Sequence, residues 1–506
     1  MHFCAQVTGV HVEMLLVAAA AIWTVFTTPG LSLGVSNPGL RVAFTAKGLD
    51  YGRQVGITIL EASLHDLKIP DLTGKQKIDF GIGHITFTWT VSNVQIQSLT
   101  IPTSSLTPSS NGLTLKASGI SATTGGHINV NDGNDVPHIS ASTDLDITFS
   151  GVAFSVSILF GNDSSGRATA KTSDCSASVG DVHVNFHGGS SWIYKVVDQI
   201  ADFGGRLKDN FAPTFCKGVT DAINNQLNHA IESEPVVVKV DKWAEVNYAL
   251  IQSPVYTNDS MATLHKGEFE ALSHPTEAPF SPPPLPPITD TAKMMYIWLS
   301  EYVVNTAGLV YHETGFLVYN ITPDMVPKDV HIQLNTSSFR DLIPALYSKY
   351  PNMAMLLIVK TTKPPQMQIH PKSANLTAIG EVNVQVITPN NTVLSAFTMG
   401  LTVYMNAYAW VHPNGTSQVI SANITLLRFT FDLISSNIGN ISLAELNQAV
   451  QLLVNLFVIP LANEYTQRGL EIPLVDGISF VDPSVSFGEG YVLVSSDVNY
   501  KPTIIY

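Results

Sequence analysis

Charge is scarce in this chain: 13% of its 506 residues are Asp, Glu, Lys or Arg, against 45% hydrophobic. Disordered proteins show the opposite balance, so the composition excludes one. Positive charge is scarcer still, with 26 Lys and Arg against 40 Asp and Glu and a net charge of −14. Residues 35–273 hold 16 basic and 23 acidic residues, and those from His274 onward hold 10 and 16, so neither half is basic. Nucleic-acid binding relies on cations that neutralise phosphates, and that class falls away; simple electrostatic attraction to anionic membranes is likewise unsupported. Cysteine is nearly missing, with three in all, which rules out a disulfide-dense scaffold or a cysteine-built zinc site.

Catalytic signatures are missing too. The chain has no G-x-S-x-G elbow, no H-E-x-x-H and no phosphate-binding loop. His183 and His187 have a metal-like i, i+4 spacing, but they fall in the alternating run DVHVNFH. In a strand they would stand ~13 Å apart and could not share an ion. The run Asn131–Asp135 (NDGND) suggests calcium ligands but has no later bidentate Glu; its central Asp-Gly reads as a hairpin turn. No metal, no cofactor and no enzyme are expected.

What the chain does hold is apolar pattern. Met14–Phe26 is an apolar run suited to a signal peptide occupying residues 1–34 and too short to span a bilayer comfortably. No Lys or Arg precedes it, and an uncleaved N-terminal anchor is the competing reading. Removal of the leader takes Cys4 away and leaves Cys175 and Cys216 as the only possible pair, closing a loop of about 41 residues worth roughly 4 kcal/mol. Nine N-x-S/T sequons fit secretion: Asn162, Asn258, Asn320, Asn335, Asn375, Asn390, Asn414, Asn423 and Asn440.

SPPPLPP, Ser281–Pro287, reads as a semi-rigid polyproline spacer. It divides the secreted chain into a domain at 35–273, a linker at 274–290 and a domain at 291–506. Both halves share one grammar of amphipathic helices and alternating strands. In the first, a helix is expected over Leu49–Leu67, with Val55, Ile59 and Ala62 on one stripe and Leu60, Leu64 and Leu67 on another, stopped by Pro70. Ile85, Phe87, Trp89 and Val91 alternate as a strand, and Ile147–Phe160 is the most apolar strand. A helical region from Trp192 carries Ile193, Val197, Ile200, Phe203 and Leu207, is interrupted by Pro213, and resumes with Val219, Ile223, Leu227 and Ile231.

The second half is expected to begin with a helix from Ala292 to about Asn305, followed by strands that include Ala422–Ile434. A capped helix then starts at Ser442, with Glu445 completing the capping box and Leu443, Leu446, Val450, Leu453 and Phe457 at 3,4 spacing. Leu452, Val454 and Leu456 widen its apolar surface, which suits either core packing or a lipid cavity. Val236–Ile251 and Gly490–Pro502 look like strands of one shared sheet. The string GL-x-Y at Gly48 and Gly308 falls before one expected helix and after another, and reads as coincidence.

Several of these segments together carry a family resemblance. Asn37–Gln54, Leu67–Gly74, Gly83–Phe87, Lys266–Leu272, Ser300–Gly315, Tyr350–Met353 and Ser435–Gly439 occur in the order in which similar segments occur in the bactericidal/permeability-increasing and lipopolysaccharide-binding protein family. The spacing of Cys175 and Cys216 is similar as well, and the resemblance covers essentially the whole mature chain. It implies an α+β fold: two similar barrels, each a twisted antiparallel sheet around helices, joined by a central sheet and the proline-rich linker into a boomerang. It also implies a secreted, non-enzymatic monomer that holds acyl chains in apolar pockets, with Val55, Ile59, Leu453 and Phe457 as pocket candidates. The implied partners are lipopolysaccharide or phospholipid at a bacterial outer membrane or a lipid-particle surface, in innate defence or in phospholipid transfer. Strongly bactericidal members carry a basic tip; here the equivalent hairpin, Gly125–Ser140, has two Asp and no Lys or Arg, and the neighbouring tip loop offers only Lys75 and Lys77 as phosphate candidates.

Overall fold

The computed structural model describes residues 37–501 except 80–82, 111, 133–138, 189–190, 234, 327–332, 415–416 and 473–477. The expected signal peptide and residues 133–135 of the hairpin therefore lie outside the described residues. Among these, seven α-helices punctuate a predominantly β chain: α1 (Ala46–Leu64), α2 (Ser191–Asp198), α3 (Phe203–Ser233), α4 (Glu301–Glu313), α5 (Pro344–Lys349), α6 (Leu443–Leu453) and α7 (Ile459–Arg468).

Two curled antiparallel sheets, one in each half, wrap around helices, and a third sheet lies between them. The N-terminal sheet follows the order Lys68–Ile69, His84–Thr100, Gly112–Asn131, Ser140–Asn162, Ala168–Ser178, with shorter strands on its flanks. The C-terminal sheet is led by the long strands Ser373–Ile387, Val393–Asn414 and Ser417–Ser436. Curling depends on interruptions of register. In Ser140–Asn162 the inward side chains run Leu145, Ile147, Phe149 and then Val152, Phe154, Val156. That change of parity is made at Gly151, whose φ of 61° suits glycine at a bulge.

The central sheet has the order Val255–Tyr256, Ser260–His265, Leu40–Thr45, Met295–Ser300, Tyr491–Tyr500, Ile478–Gly488. Its two middle strands pair antiparallel, Leu40 against Leu299 and Phe44 against Met295. Each runs directly into a helix through a hydroxyl cap: Thr45 accepts from the Gly48 amide before α1, and Ser300 accepts from the Tyr302 amide before α4. The repeated grammar of the two halves is thus a strand–cap–helix unit used twice.

Several sequence expectations change here. Residues 295–300 are strand, not helix, and α4 begins at Glu301. Five of those six residues are buried, so the run lacks the alternation that marks a strand with one wet face. α1 runs from Ala46 to Leu64 and ends in a turn with Asp66 at φ 69°, well before Pro70; Ala62 is exposed. Pro213 does not interrupt α3; the break comes at 199–202, where Asp202 has φ 52° and accepts from the Gly205 amide. An interior proline forfeits one hydrogen bond, and the burial of Phe211 and Phe215 on either side of it holds the helix together. The side chains of Leu227, Ile231 and Glu445 lie outside the described ones.

Val237–Lys239 and Ala244–Asn247 do not join Tyr491–Tyr500; they form a separate small sheet with Glu268–Ala271. Gly48 and Gly308 both lie inside helices, at different distances from the helix start. Each lets its helix press on a carbonyl, since a Cβ would stand 2.4 Å from the Met294 oxygen and 2.5 Å from the Pro365 oxygen.

The proline-rich segment is a strap rather than a free spacer. Leu285 and Ile288 pack on Ala43, Tyr296 and Trp298 of the central sheet. Asn37 donates to the Pro282 carbonyl, and Arg41, lying over the Trp298 ring, donates to that of Pro286. Where the strap begins, the buried carboxylate of Glu268 accepts from Tyr302 Oη (2.7 Å) and from the Ala278 amide (2.7 Å), with Lys266 Nζ 3.2 Å away.

Candidate lipid-binding site

The interiors of the two half-barrels are filled differently. In the N-terminal half, α3 drives an aromatic column into the sheet: Phe149 stacks on Phe211 at 4.0 Å between centroids, Phe211 on Phe215 at 5.3 Å, and Phe154 meets Phe215 edge-on at 6.1 Å. Ile59 is fully buried in this core and Val55 is half-buried against it. The Cys175–Cys216 disulfide fastens the strand Ala168–Ser178 to α3, with Cα atoms 6.0 Å apart.

The C-terminal half keeps a crevice. Val384, Phe397 and Met399 from the sheet and Met355 and Leu357 beside them form one wall. Ala449, Leu452, Leu453, Leu456 and Phe457 form the helical wall, and Val326, Leu334, Phe339 and Ile343 close the end. Among the described residues, Gln333 is the only polar one in this lining. The enclosed cavity measures only ≈ 50 Å³, so the crevice is a narrow slot. The sheet wall carries two methionines, Met355 and Met399, whose unbranched side chains re-pack readily around different guests.

The helical wall owes its shape to Pro460. With no N–H there, the backbone takes a π turn at Val454–Val458, and the Ile459 amide reaches back to the Val454 carbonyl. Leu446, Val450, Leu453 and Val454 are buried, whereas Leu443, expected on the same stripe, is 57% exposed. Leu453 and Phe457 thus sit in the crevice, together with Leu334, Phe339, Ile343, Met355 and Met399, which the sequence reading missed. Those residues come from a loop and from strands far away in sequence, and no local periodicity connects them to α6.

The expected phosphate candidates are placed differently. Lys75 and Lys77 are not in a loop; they project exposed from the strand Leu72–Asp79, paired with Thr88 and Thr86. This strand flanks its sheet, and exposed lysines on such an edge discourage pairing with other chains. Gly112–Asn131 and Ser140–Asn162 pair antiparallel, with Asn131 opposite Ser140, while the expected Asp-Gly turn lies outside the described residues. Asp132 just beyond this pair is buried and accepts from the Ile139 amide at 2.8 Å. His183 lies in the strand Asp181–Phe186 opposite Thr148, and His187 just beyond it meets Asp146 at 2.7 Å. None of the nine sequon asparagines is buried.

Two curled half-barrels wrapped around apolar helices, with a slot in one half whose described lining carries no charged side chain, define the class of fold. Residues 48–227 match the N-terminal domain of the LBP / BPI / CETP family and residues 238–500 its C-terminal domain, and the chain belongs to that family. It is 29% identical over 470 residues to the bactericidal permeability-increasing protein of Sebastes schlegelii, covering 92% of this chain and 96% of that one. To the human lipopolysaccharide-binding protein it is 27% identical over 475 residues, covering 92% and 94%. A crystal structure of lipopolysaccharide binding protein shares the fold, with a TM-score of 0.63 and 24% identity over 92% of this chain and all of that one.

Proposed function

We propose that this chain is a secreted, non-enzymatic lipid-binding protein that takes acyl chains of lipopolysaccharide or a similar amphiphile into its C-terminal crevice, in innate defence against Gram-negative bacteria. The observation that carries this reading is the crevice itself, whose lining among the described residues is apolar apart from Gln333. Each CH₂ removed from water there contributes about 0.8 kcal/mol, so an acyl chain is held without a polar anchor. Leu453 and Phe457 are the lining residues assigned to this role. The relatives named for bactericidal activity and for lipopolysaccharide binding support the choice of ligand.

A second reading, phospholipid carriage with no antimicrobial role, is favoured by the charge pattern. Lys75 and Lys77 stand on an edge strand that ends at Asp79, in a chain of net charge −14. The two readings separate in a competition assay at physiological salt between lipopolysaccharide and phosphatidylcholine vesicles. Preference for lipopolysaccharide is the expected result. Equal binding, combined with accelerated phospholipid exchange, replaces the first reading with the second.

A further inference from the structure

The strand Ser417–Ser436 has an unusual free side. The strand Val393–Asn414 runs along one edge of it, but on the other edge Leu470–Ile472 covers only Gln418–Ile420 among the described residues. Just beyond, the carboxamide of Asn463 on α7 takes the place of a strand, accepting from the Ile424 amide (2.6 Å) and donating to its carbonyl (2.9 Å). From there to Ser436 no strand lies beside this edge among the described residues, and α6 lies across a groove from it. Phe429 and Phe431 form one side of the groove, and Leu443, Ala444 and Gln448 the other.

Two observations give the groove a direction. Ala444, Gln448, Leu452 and Leu456 follow one another at four-residue spacing on α6 and its continuation, so they share a face. The first two line the outer groove and the last two line the inner crevice. The strand also carries two register shifts, opposite Thr398/Met399 and Tyr404/Met405, and the extra residues are Ile434 and Leu427. A bulge re-aims a side chain, and these two are turned outward, 55% and 59% exposed, as is Leu443 at the head of α6. Leu446–Arg468, which includes most of α6 and all of α7, is long and apolar enough to cross a membrane, yet only 22% of its most apolar stretch is buried.

We infer that the seam between α6 and this free strand edge is the mouth through which acyl chains enter the crevice, and that Leu427, Ile434 and Leu443 seat it in the surface of a zwitterionic bilayer. This inference rests on the crevice being a lipid site. Three uncharged aliphatic side chains suit a zwitterionic surface, whereas the net charge of −14 opposes an anionic one.

The test uses the full chain and phosphatidylcholine vesicles carrying a fluorescent phosphatidylcholine, with uptake rate and final lipid per protein read separately. Replacing Leu427, Ile434 and Leu443 together by Ser should slow uptake at least tenfold and leave the final loading unchanged, because all three are surface residues. An unchanged rate overturns the inference. If the lipid-free wild type sediments as a dimer and the triple variant as a monomer, the patch belongs to a second copy and the inference also fails. Leu456→Trp, which fills the slot, should instead lower final loading; full loading there sinks the crevice reading rather than the mouth. The sequon at Asn440 lies three residues before α6 begins at Leu443, so mass spectrometry of the secreted protein should find it unoccupied. A fully occupied Asn440 with unimpaired uptake excludes bilayer seating at this end.

Discussion

The two half-barrels solve the same geometric problem with opposite interiors. Each wraps a curled antiparallel sheet around helices. The N-terminal half then inserts one long helix, fills the space with stacked phenylalanines and fastens that helix with a disulfide. The C-terminal half uses a helix broken by a π turn, lines its interior with Leu and Met, and leaves a slot. A filled interior maximises close packing; a slot gives up dispersion contacts on one side of every residue that lines it. On the proposed function, the packed half chiefly serves stability and the slotted half serves cargo.

The sharpest way to break that comparison is Phe211→Ala. Removing the middle ring of the column should cost about 4 kcal/mol, read as a large fall in the urea midpoint. A loss below 1 kcal/mol would mean that the N-terminal interior is as slack as the C-terminal one.

The central sheet supplies the next largest effect. His265 is fully buried, its Nδ1 donating to the Tyr248 carbonyl and its Nε2 2.8 Å from Thr263 Oγ1, and burial lowers its pKa to about 4. The folded state resists protonation while the unfolded chain takes up a proton near 6.5. Stability is therefore full above pH 6.5, falls as the pH drops, and levels off below about 4, a total of about 3 kcal/mol. His265→Gln should flatten that segment of the pH–stability curve; an unchanged slope would assign acid sensitivity elsewhere.

In the slot, Leu456→Ala should cost only about 1 kcal/mol of stability, since that side chain has neighbours on one side only. A loss of several kcal/mol would make the C-terminal interior a packed core after all. The smallest effect is expected from replacing Lys75 and Lys77 together by Ala: below about 0.5 kcal/mol in stability and less than threefold in lipopolysaccharide affinity at physiological salt. A steep loss of affinity would restore a phosphate-binding tip to the N-terminal half.

How much of this was legible beforehand depended on whether a signal was local. The stripe Leu446–Leu453 and the alternation at Phe87–Val91 fell on the expected elements, because one buried face imposes its period on the sequence. The central strand Met295–Ser300 read as helix because burial on both faces erases the alternation. The helix breaks at 199–202 and at Asp66 depend on Asp residues at positive φ, which carry no composition signal as loud as Pro70 or Pro213. The crevice was half legible: α6 showed more apolar surface than one stripe needs. Which side of that surface stays unfilled is decided by Leu334, Phe339 and Met355, roughly ninety to a hundred and ten residues earlier in the chain.

The middle strand of the central sheet has a consequence for how the protein is made. Met295–Ser300 takes one neighbour from residues 40–45, already synthesised, and the other from Tyr491–Tyr500, the last of the described strands. Ser300 and Tyr491 are separated by about 190 residues, which at 5–20 residues per second means roughly 10 to 40 s of translation. For that interval a buried, uncharged strand waits on the nascent chain with one edge open. The earlier half of the molecule can be complete while the later half still holds the sheet ajar, so a chain cut short near its end would leave the ribosome with its most aggregation-prone edge uncovered.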